Sequence, residues 1–328
     1  TSIMQHRTVL LPNGNKMNLS ASIGISWYPQ DSIYFDFLKK YADFAMYQVK
    51  KSTKGNLAEF DKALYEDEKH DRQMHLEFYQ LIEKEQLTYH FQPILSAKNG
   101  EIIAYEALMR SQLATLKNPE MILRIAREEN KLEDVERICI FKSTETFDQL
   151  RKNKLVKEDA LLFINSIASV SLNDEDRERF HRYFSHIQSQ IVVEVTEEEN
   201  MSEEALIRKR ETKGFSGMFA LDDYGSGYNT EINLLNLSPK YIKIDLTIVR
   251  NIDKDFDKQQ LVSNIVEYAH QRDAYIIAEG IETKEELLKV LELGVDYLQG
   301  YYLSYPQLNP QEVSNESIKT IENYWKKR

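Results

Sequence analysis

Thr88-Tyr89-His90-Phe91-Gln92-Pro93-Ile94-Leu95-Ser96-Ala97-Lys98-Asn99-Gly100-Glu101-Ile102-Ile103-Ala104-Tyr105-Glu106-Ala107-Leu108 holds two apolar or β-branched runs, 88–94 and 101–108, around one short turn. A turn of this length joins only antiparallel neighbours, because parallel strands need a long crossover. Beyond this pair, similar runs recur at 160–165, 190–195, 217–222, 240–244, 274–279 and 295–298, and most of the gaps read as amphipathic helix. Eight strands with intervening helices over about 250 residues have the size and rhythm of a (β/α)8 barrel. The expected fold is therefore α/β: a TIM-like barrel over 87–328 with an antiparallel first strand.

The front of the chain has a different pattern. Residues 9–24 read as a hairpin around Leu11-Pro12-Asn13-Gly14-Asn15, its second strand running through Met17–Ile25. Tyr34–Lys50 has apolar residues at helical spacing. So little structure in about 65 residues buries too little surface for a full domain, so 1–66 is expected to be a partial α+β segment. Residues 64–86 are charged and helical in pattern, with Met74, Phe78, Leu81 and Ile82 on one side. Within them, 67–86 is read as linker and entry helix.

Of 328 residues, 42% are hydrophobic and 29% charged, ordinary for a globular chain. Runs such as Ala160–Ile164 fall far short of the roughly 20 apolar residues that span a bilayer, so no membrane contact is expected within it. Cys139 is the sole cysteine, which excludes an intrachain disulfide or a cysteine zinc site and suits a reducing cytoplasm. The formal charge of -11 opposes binding to a DNA or RNA polymer.

Chemistry in a barrel gathers where strands end. Glu106 closes the second run, Asn165 follows Ile164, Glu194 follows Val193, and Asp222 and Asp223 follow Leu221. Lys243 and Asp245 bracket Ile244, Glu279 follows Ala278, and Gln299 follows Leu298. Any one of these is ordinary: an acidic residue at a strand end is usually solvated or caps a helix, and Asn165-Ser166 could cap the next one. Lys243 is stranger, since a lysine within a buried strand needs a partner. Several carboxylates at one mouth repel one another unless divalent cations hold them ionised. An all-oxygen set without cysteine or histidine favours Mg²⁺ or Mn²⁺. Asp222 and Asp223 stand where the chain leaves regular pleating, so both can reach one site. This suits two ions about 3.5–4 Å apart with a bridging carboxylate, an arrangement used in phosphoryl transfer. Gly225 and Gly227 then permit a sharp turn beside that site, either a loop that orders over substrate or a plain βα turn.

These residues also carry a resemblance. Tyr105-Glu106-Ala107-Leu108-Met109-Arg110 resembles the signature of the EAL-domain phosphodiesterases, which hydrolyse cyclic di-GMP. The likeness runs from about 75 to 320 through Phe91-Gln92-Pro93-Ile94, Ile164-Asn165, Glu194-Val195-Thr196-Glu197, Asp222-Asp223-Tyr224-Gly225-Ser226-Gly227-Tyr228, Lys243-Ile244-Asp245, Ala278-Glu279-Gly280-Ile281-Glu282 and Gln299-Gly300-Tyr301. It implies metal ligation by Glu106, Asn165, Glu194, Asp222 and Asp223, with Asp222 bridging two Mg²⁺ or Mn²⁺ ions. It gives Glu279 and Lys243 the handling of the attacking water, and Arg110, Leu108 and Gln92 the substrate. Asp245, Glu282 and Gln299 support them. Glu197 anchors the Gly225–Gly227 loop, which in the family takes part in homodimerisation through the barrel. Opening of cyclic di-GMP to linear pGpG is the implied reaction.

Departures concern the substrate side. Many members follow the signature with Arg-Trp and a His-Pro segment, whereas this chain continues Arg110-Ser111-Gln112-Leu113, and its loop carries Tyr224, Ser226, Asn229 and Thr230 where Phe, Thr and two Ser are usual. The front segment resembles the C-terminal part of a GGDEF domain through Ser22-Ile23-Gly24-Ile25 and Ala42-Asp43-Phe44-Ala45-Met46-Tyr47. The catalytic turn of such a domain would lie before residue 1. Two other classes stand beside the enzyme: a catalytically silent cyclic di-GMP receptor and a purely structural barrel, the latter leaving the converging polar groups without a reason.

Overall fold

The computed structural model describes residues 7–52, 55–196, 218–226, 234–235, 237–310 and 313–328. It divides into two compact units, Thr1–Glu77 and Phe78–Arg328, and no helix among the described residues is long and apolar enough to cross a membrane.

In the front unit, β1 (Arg7–Leu10) and β2 (Lys16–Leu19) form the expected hairpin. The single second strand expected through Met17–Ile25 is in fact two. Its later part, β3 (Ile23–Ile25), leaves the hairpin and pairs in parallel with β4 (Leu57–Glu59), beyond the helix α1 (Phe35–Ser52). Gly24 explains the break, since a Cβ there would collide with the Ala42 carbonyl of α1; the strand lies too close to the helix for any side chain. Tyr41 stacks on Phe60 at 4.1 Å between ring centroids, and Phe44 and Tyr65 pack edge-on around them. The helix α2 (Lys62–Lys84) spans the boundary between the units.

The second unit is a closed barrel. Its strands are β5 (Leu87–Ser96), β6 (Ile102–Ser111), β7 (Leu161–Asn165), β8 (Ile191–Thr196), β9 (Met218–Tyr224), β10 (Tyr241–Ile244), β11 (Tyr275–Ala278) and β12 (Tyr297–Leu298). β5 is antiparallel to both β6 and β12, and every other neighbouring pair is parallel. The result is a distorted TIM-like barrel flanked by helices, with the antiparallel first strand that its short turn required.

Period-two alternation fills the interior. Ile94, Ala104, Phe163, Val192, Ala220, Tyr241 and Ile277 form one buried layer, with Tyr297 packed against it, so that every strand contributes one residue. Tyr241 also meets Phe163 edge-on at 5.1 Å. The alternate residues Leu95, Val193, Val195, Leu221, Ile242, Ile244, Ile276 and Leu298 face outward into a second core shared with residues of the surrounding helices, Val262, Val266, Leu287 and Val290 among them.

Candidate active site

One pleat beyond the interior layer, each strand presents a polar residue on the same face. Ala104 leads to Glu106, Phe163 to Asn165, Val192 to Glu194, Ala220 to Asp222, Tyr241 to Lys243, Ile277 to Glu279 and Tyr297 to Gln299. β5 obeys the rule in reverse: because it runs antiparallel, Gln92 lies two residues before Ile94 and opposite Glu106.

Adjacent residues of a regular strand point to opposite faces, so Asp222 and Asp223 should be separated. They are not. Between Ile242 and Ile244 of β10, β9 advances from Leu221 to Tyr224, one residue more than its partner, which is a β-bulge. Asp223 takes the left-handed conformation at φ 57, and both aspartates line one pocket with Gln92, Glu106, Lys243 and Glu279. Gly225 follows at φ 99, and the Ser226 hydroxyl donates to the Asp223 carbonyl at 2.8 Å.

Lys243 is the hub. Its Nζ lies 2.6 Å from Glu194 Oε1, 2.7 Å from Glu279 Oε1, 2.9 Å from Asp222 Oδ1 and 3.4 Å from Glu106 Oε1. Its burial opposes the charge, but Asp222, Glu106, Glu194 and Glu279 together outweigh that, and its pKa stands well above the ordinary lysine value. The acids experience the opposite balance. Burial, reinforced by Glu106 and Asp222, holds Glu194 well above the usual carboxylate range despite Lys243. Burial likewise raises Asp222 and, strongly, Glu279. Asp223 is pushed up to about 6, by burial first and by Asp222 second.

Carboxylate oxygens of Glu106, Glu194 and Asp222 approach within 4.8 Å of one another, and so do those of Asp222, Asp223 and Glu279. Asp222 belongs to both sets. Glu194 Oε2 is buried with no hydrogen-bond donor, a costly state for a carboxylate unless a cation faces it. The donors are hard oxygens in two overlapping groups, which fits Mg²⁺ or Mn²⁺. Asn165 joins the first group through Nδ2, 3.4 Å from Glu106 Oε1. It does not cap a helix: the next one, Asp174–Phe184, is capped by Asn173.

Gln299 Nε2 donates to Glu106 Oε2 at 2.5 Å and to Gln92 Oε1 at 3.2 Å, and Gln92 in turn donates to the Ser304 carbonyl at 3.1 Å. Residues 75–306 match the family model described as EAL domain. The chain belongs to the EAL domain family. Over 305 residues it is 28% identical to the bifunctional diguanylate cyclase/cyclic di-GMP phosphodiesterase MucR of Pseudomonas aeruginosa, covering 89% of this chain and 43% of that protein. It is 27% identical over 305 residues to the cyclic di-GMP phosphodiesterase NbdA of the same organism, covering 90% and 38%. The chain thus spans about two fifths of the length of these relatives. The structure of the P. aeruginosa MucR phosphodiesterase in complex with c-di-GMP superposes with a TM-score of 0.61 at 26% identity, over 72% of this chain and 97% of that one.

The remaining residues expected at the site of this EAL barrel have varied surroundings. Leu108 and Arg110 share the inner face of β6, opposite His90 and Thr88, but the Arg110 guanidinium donates back to the Met109 carbonyl at 2.8 Å. The Asp245 carboxylate caps the turn Leu246–Val249, accepting from Thr247 N at 2.9 Å. Glu282 lines the pocket and pairs with Arg250 at 2.6 Å on the rim. Glu197 and Gly227, with Asn229 and Thr230 of the loop, lie outside the described residues. Two buried glutamates, Glu136 and Glu286, escaped the reading of the sequence. Both sit within helices, where an acidic residue ordinarily marks the solvent face.

Proposed function

We propose that this EAL domain hydrolyses cyclic di-GMP to linear pGpG with divalent-metal help. The observation that carries it is the pair of overlapping carboxylate sets sharing Asp222, with Lys243 between them. In this reading Glu106, Asn165, Glu194 and Asp222 hold one Mg²⁺ or Mn²⁺, and Asp222 with Asp223 holds a second. When bound, the ions supply Lewis acidity at phosphorus and lower the pKa of water.

The chain's own groups do the rest. Glu279, whose basicity burial raises, is suited to take a proton from the attacking water. Lys243 stays protonated, orients that water and offsets negative charge as the oxygen adds to phosphorus. The bond from phosphorus to the ribose 3′ oxygen breaks, and that oxygen takes a proton from solvent as it leaves, giving a 5′-phosphate and a 3′-hydroxyl. Arg110, once released from Met109, offers two donors to a phosphate. Leu108 and Gln92 border it, with Gln299, Glu282 and Asp245 in support.

The front unit, in the same reading, is the C-terminal part of a GGDEF domain. The alignment with MucR takes in 89% of the chain, so it extends in front of residue 75. We also assign a homodimer through the barrel, where Leu235 is exposed beside an apolar hollow that includes Leu234, Ile265 and Tyr268.

Chromatography of cyclic di-GMP incubated with the protein and Mg²⁺ or Mn²⁺ tests the reaction. Accumulating pGpG, abolished by Glu106→Gln or Asp222→Asn, is the expected result. Bound but uncleaved dinucleotide with either metal makes the protein a receptor instead.

A further inference from the structure

The helix Leu132–Lys152 lies outside the barrel, and none of its residues lines the pocket. Its inward face carries Cys139, Ile140, Ser143 and Phe147, all buried, and at the same helical spacing one turn earlier a glutamate, Glu136, only 2% exposed. A carboxylate in such a place costs free energy unless its oxygens meet donors. They do: Glu136 accepts from the Ser166 hydroxyl and, at 2.9 Å, from the Ile167 amide. These are the first two residues after Asn165, and the Ser166 amide is already tied to the Glu194 carbonyl at 3.0 Å.

Asn165 differs from its neighbours in how it is held. Glu106, Glu194 and Asp222 are buried, so packing fixes their side chains, whereas Asn165 is exposed at the end of β7. Its side-chain hydrogen bond to Glu106 is long, at 3.4 Å. The direction of its carboxamide therefore depends on the backbone at 165–167, which is what Glu136 holds from outside the barrel.

We propose that Glu136 is a positioning residue for Asn165, fixing the turn that points the carboxamide at the cation. This inference rests on the metal reading given above. Groups that orient a metal ligand from behind typically change metal affinity by about 10–100-fold when lost.

Mn²⁺ binding to the purified chain, measured by isothermal titration calorimetry without substrate, provides the test. Glu136→Ala is expected to raise the Mn²⁺ dissociation constant about tenfold or more. Glu136→Gln should restore most of it, since a carboxamide accepts from the Ile167 amide and donates to the Ser166 oxygen. In an Asn165→Ala background, Glu136→Ala should add little further loss, because the ligand it acts through is already gone. An unchanged dissociation constant, or an equal loss with and without Asn165, overturns the proposal. If Glu136→Ala does not fold, Ser166→Ala in both backgrounds decides, with a smaller loss confined to the Asn165 protein expected and no loss overturning it. Wild-type protein that binds no Mn²⁺ fails the metal reading itself, whereas binding that is indifferent to Glu136 fails only this inference.

Discussion

Lys243 Nζ and Glu194 Oε1 stand 2.6 Å apart, in side chains that are 1% and 0% exposed. Neither charge has water to fall back on, so each depends on the other and on the acids around them. Lys243→Met is expected to destabilise the metal-free chain by about 3–5 kcal/mol, the cost of leaving buried charge unpaired. It also makes the mouth more negative. Mn²⁺ should then bind more tightly, and raise the melting temperature more, than in wild type, while pGpG formation falls at least about 100-fold. Weaker Mn²⁺ binding in the variant would mean that Lys243 does not compete with the cation.

Proton and metal compete for the same oxygens. Asp223 is pushed up to about 6 from an ordinary 3.8, so between those values the folded metal-free chain holds a proton that the unfolded chain has released. Its contribution to stability is full at acid pH and is lost as pH rises through about 6. Metal binding must expel that proton below this pH. The apparent Mn²⁺ affinity should therefore weaken as pH falls through 6, and calorimetry in buffers of different ionisation enthalpy should register proton release. Pulling out no proton at pH 5.5 would contradict the assignment.

Replacing Mg²⁺ by Ca²⁺ should leave binding measurable and reduce pGpG formation by at least about tenfold, because the larger ion adopts a looser geometry. The same rate with either ion would argue against a tight two-metal site.

Much of this was legible in the residues because the barrel repeats one rule. Each of Glu106, Asn165, Glu194, Asp222, Lys243 and Glu279 lies at or near the end of an apolar run, and period two places all six on one face. The antiparallel start was equally plain from the short turn at 96–100. What the residues concealed is long-range. Nothing local distinguishes Glu136 or Glu286 from a solvated helical glutamate, since burial comes from loops that pack over them. The separation of Ile23–Ile25 from its hairpin was hidden too, because its partner Leu57–Glu59 lies beyond a whole helix.

Glu286 shows what such a concealed group does for the mouth. Its buried carboxylate accepts from the Asn251 amide at 2.8 Å and from the Glu282 and Thr283 amides at 3.0 Å each. It joins the loop after β10 to the loop after β11, while completing the capping box of the helix Lys284–Leu293 with Thr283. Burial alone would raise its pKa, but these amides and the Thr283 hydroxyl outweigh that and lower it. A lowered folded value means that the stabilisation is present above the unfolded pKa and is lost as pH falls through the folded one. Glu286→Ala should cost about 1–3 kcal/mol in urea unfolding near neutral pH, for three backbone donors that lose their acceptor, and the gap from wild type should narrow in acid. Because Lys243 lies on β10 and Glu279 directly follows β11, the two strands whose loops it joins, turnover should fall beyond what the unfolded fraction explains. A variant with wild-type unfolding and wild-type turnover would show that the backbone of these loops holds itself.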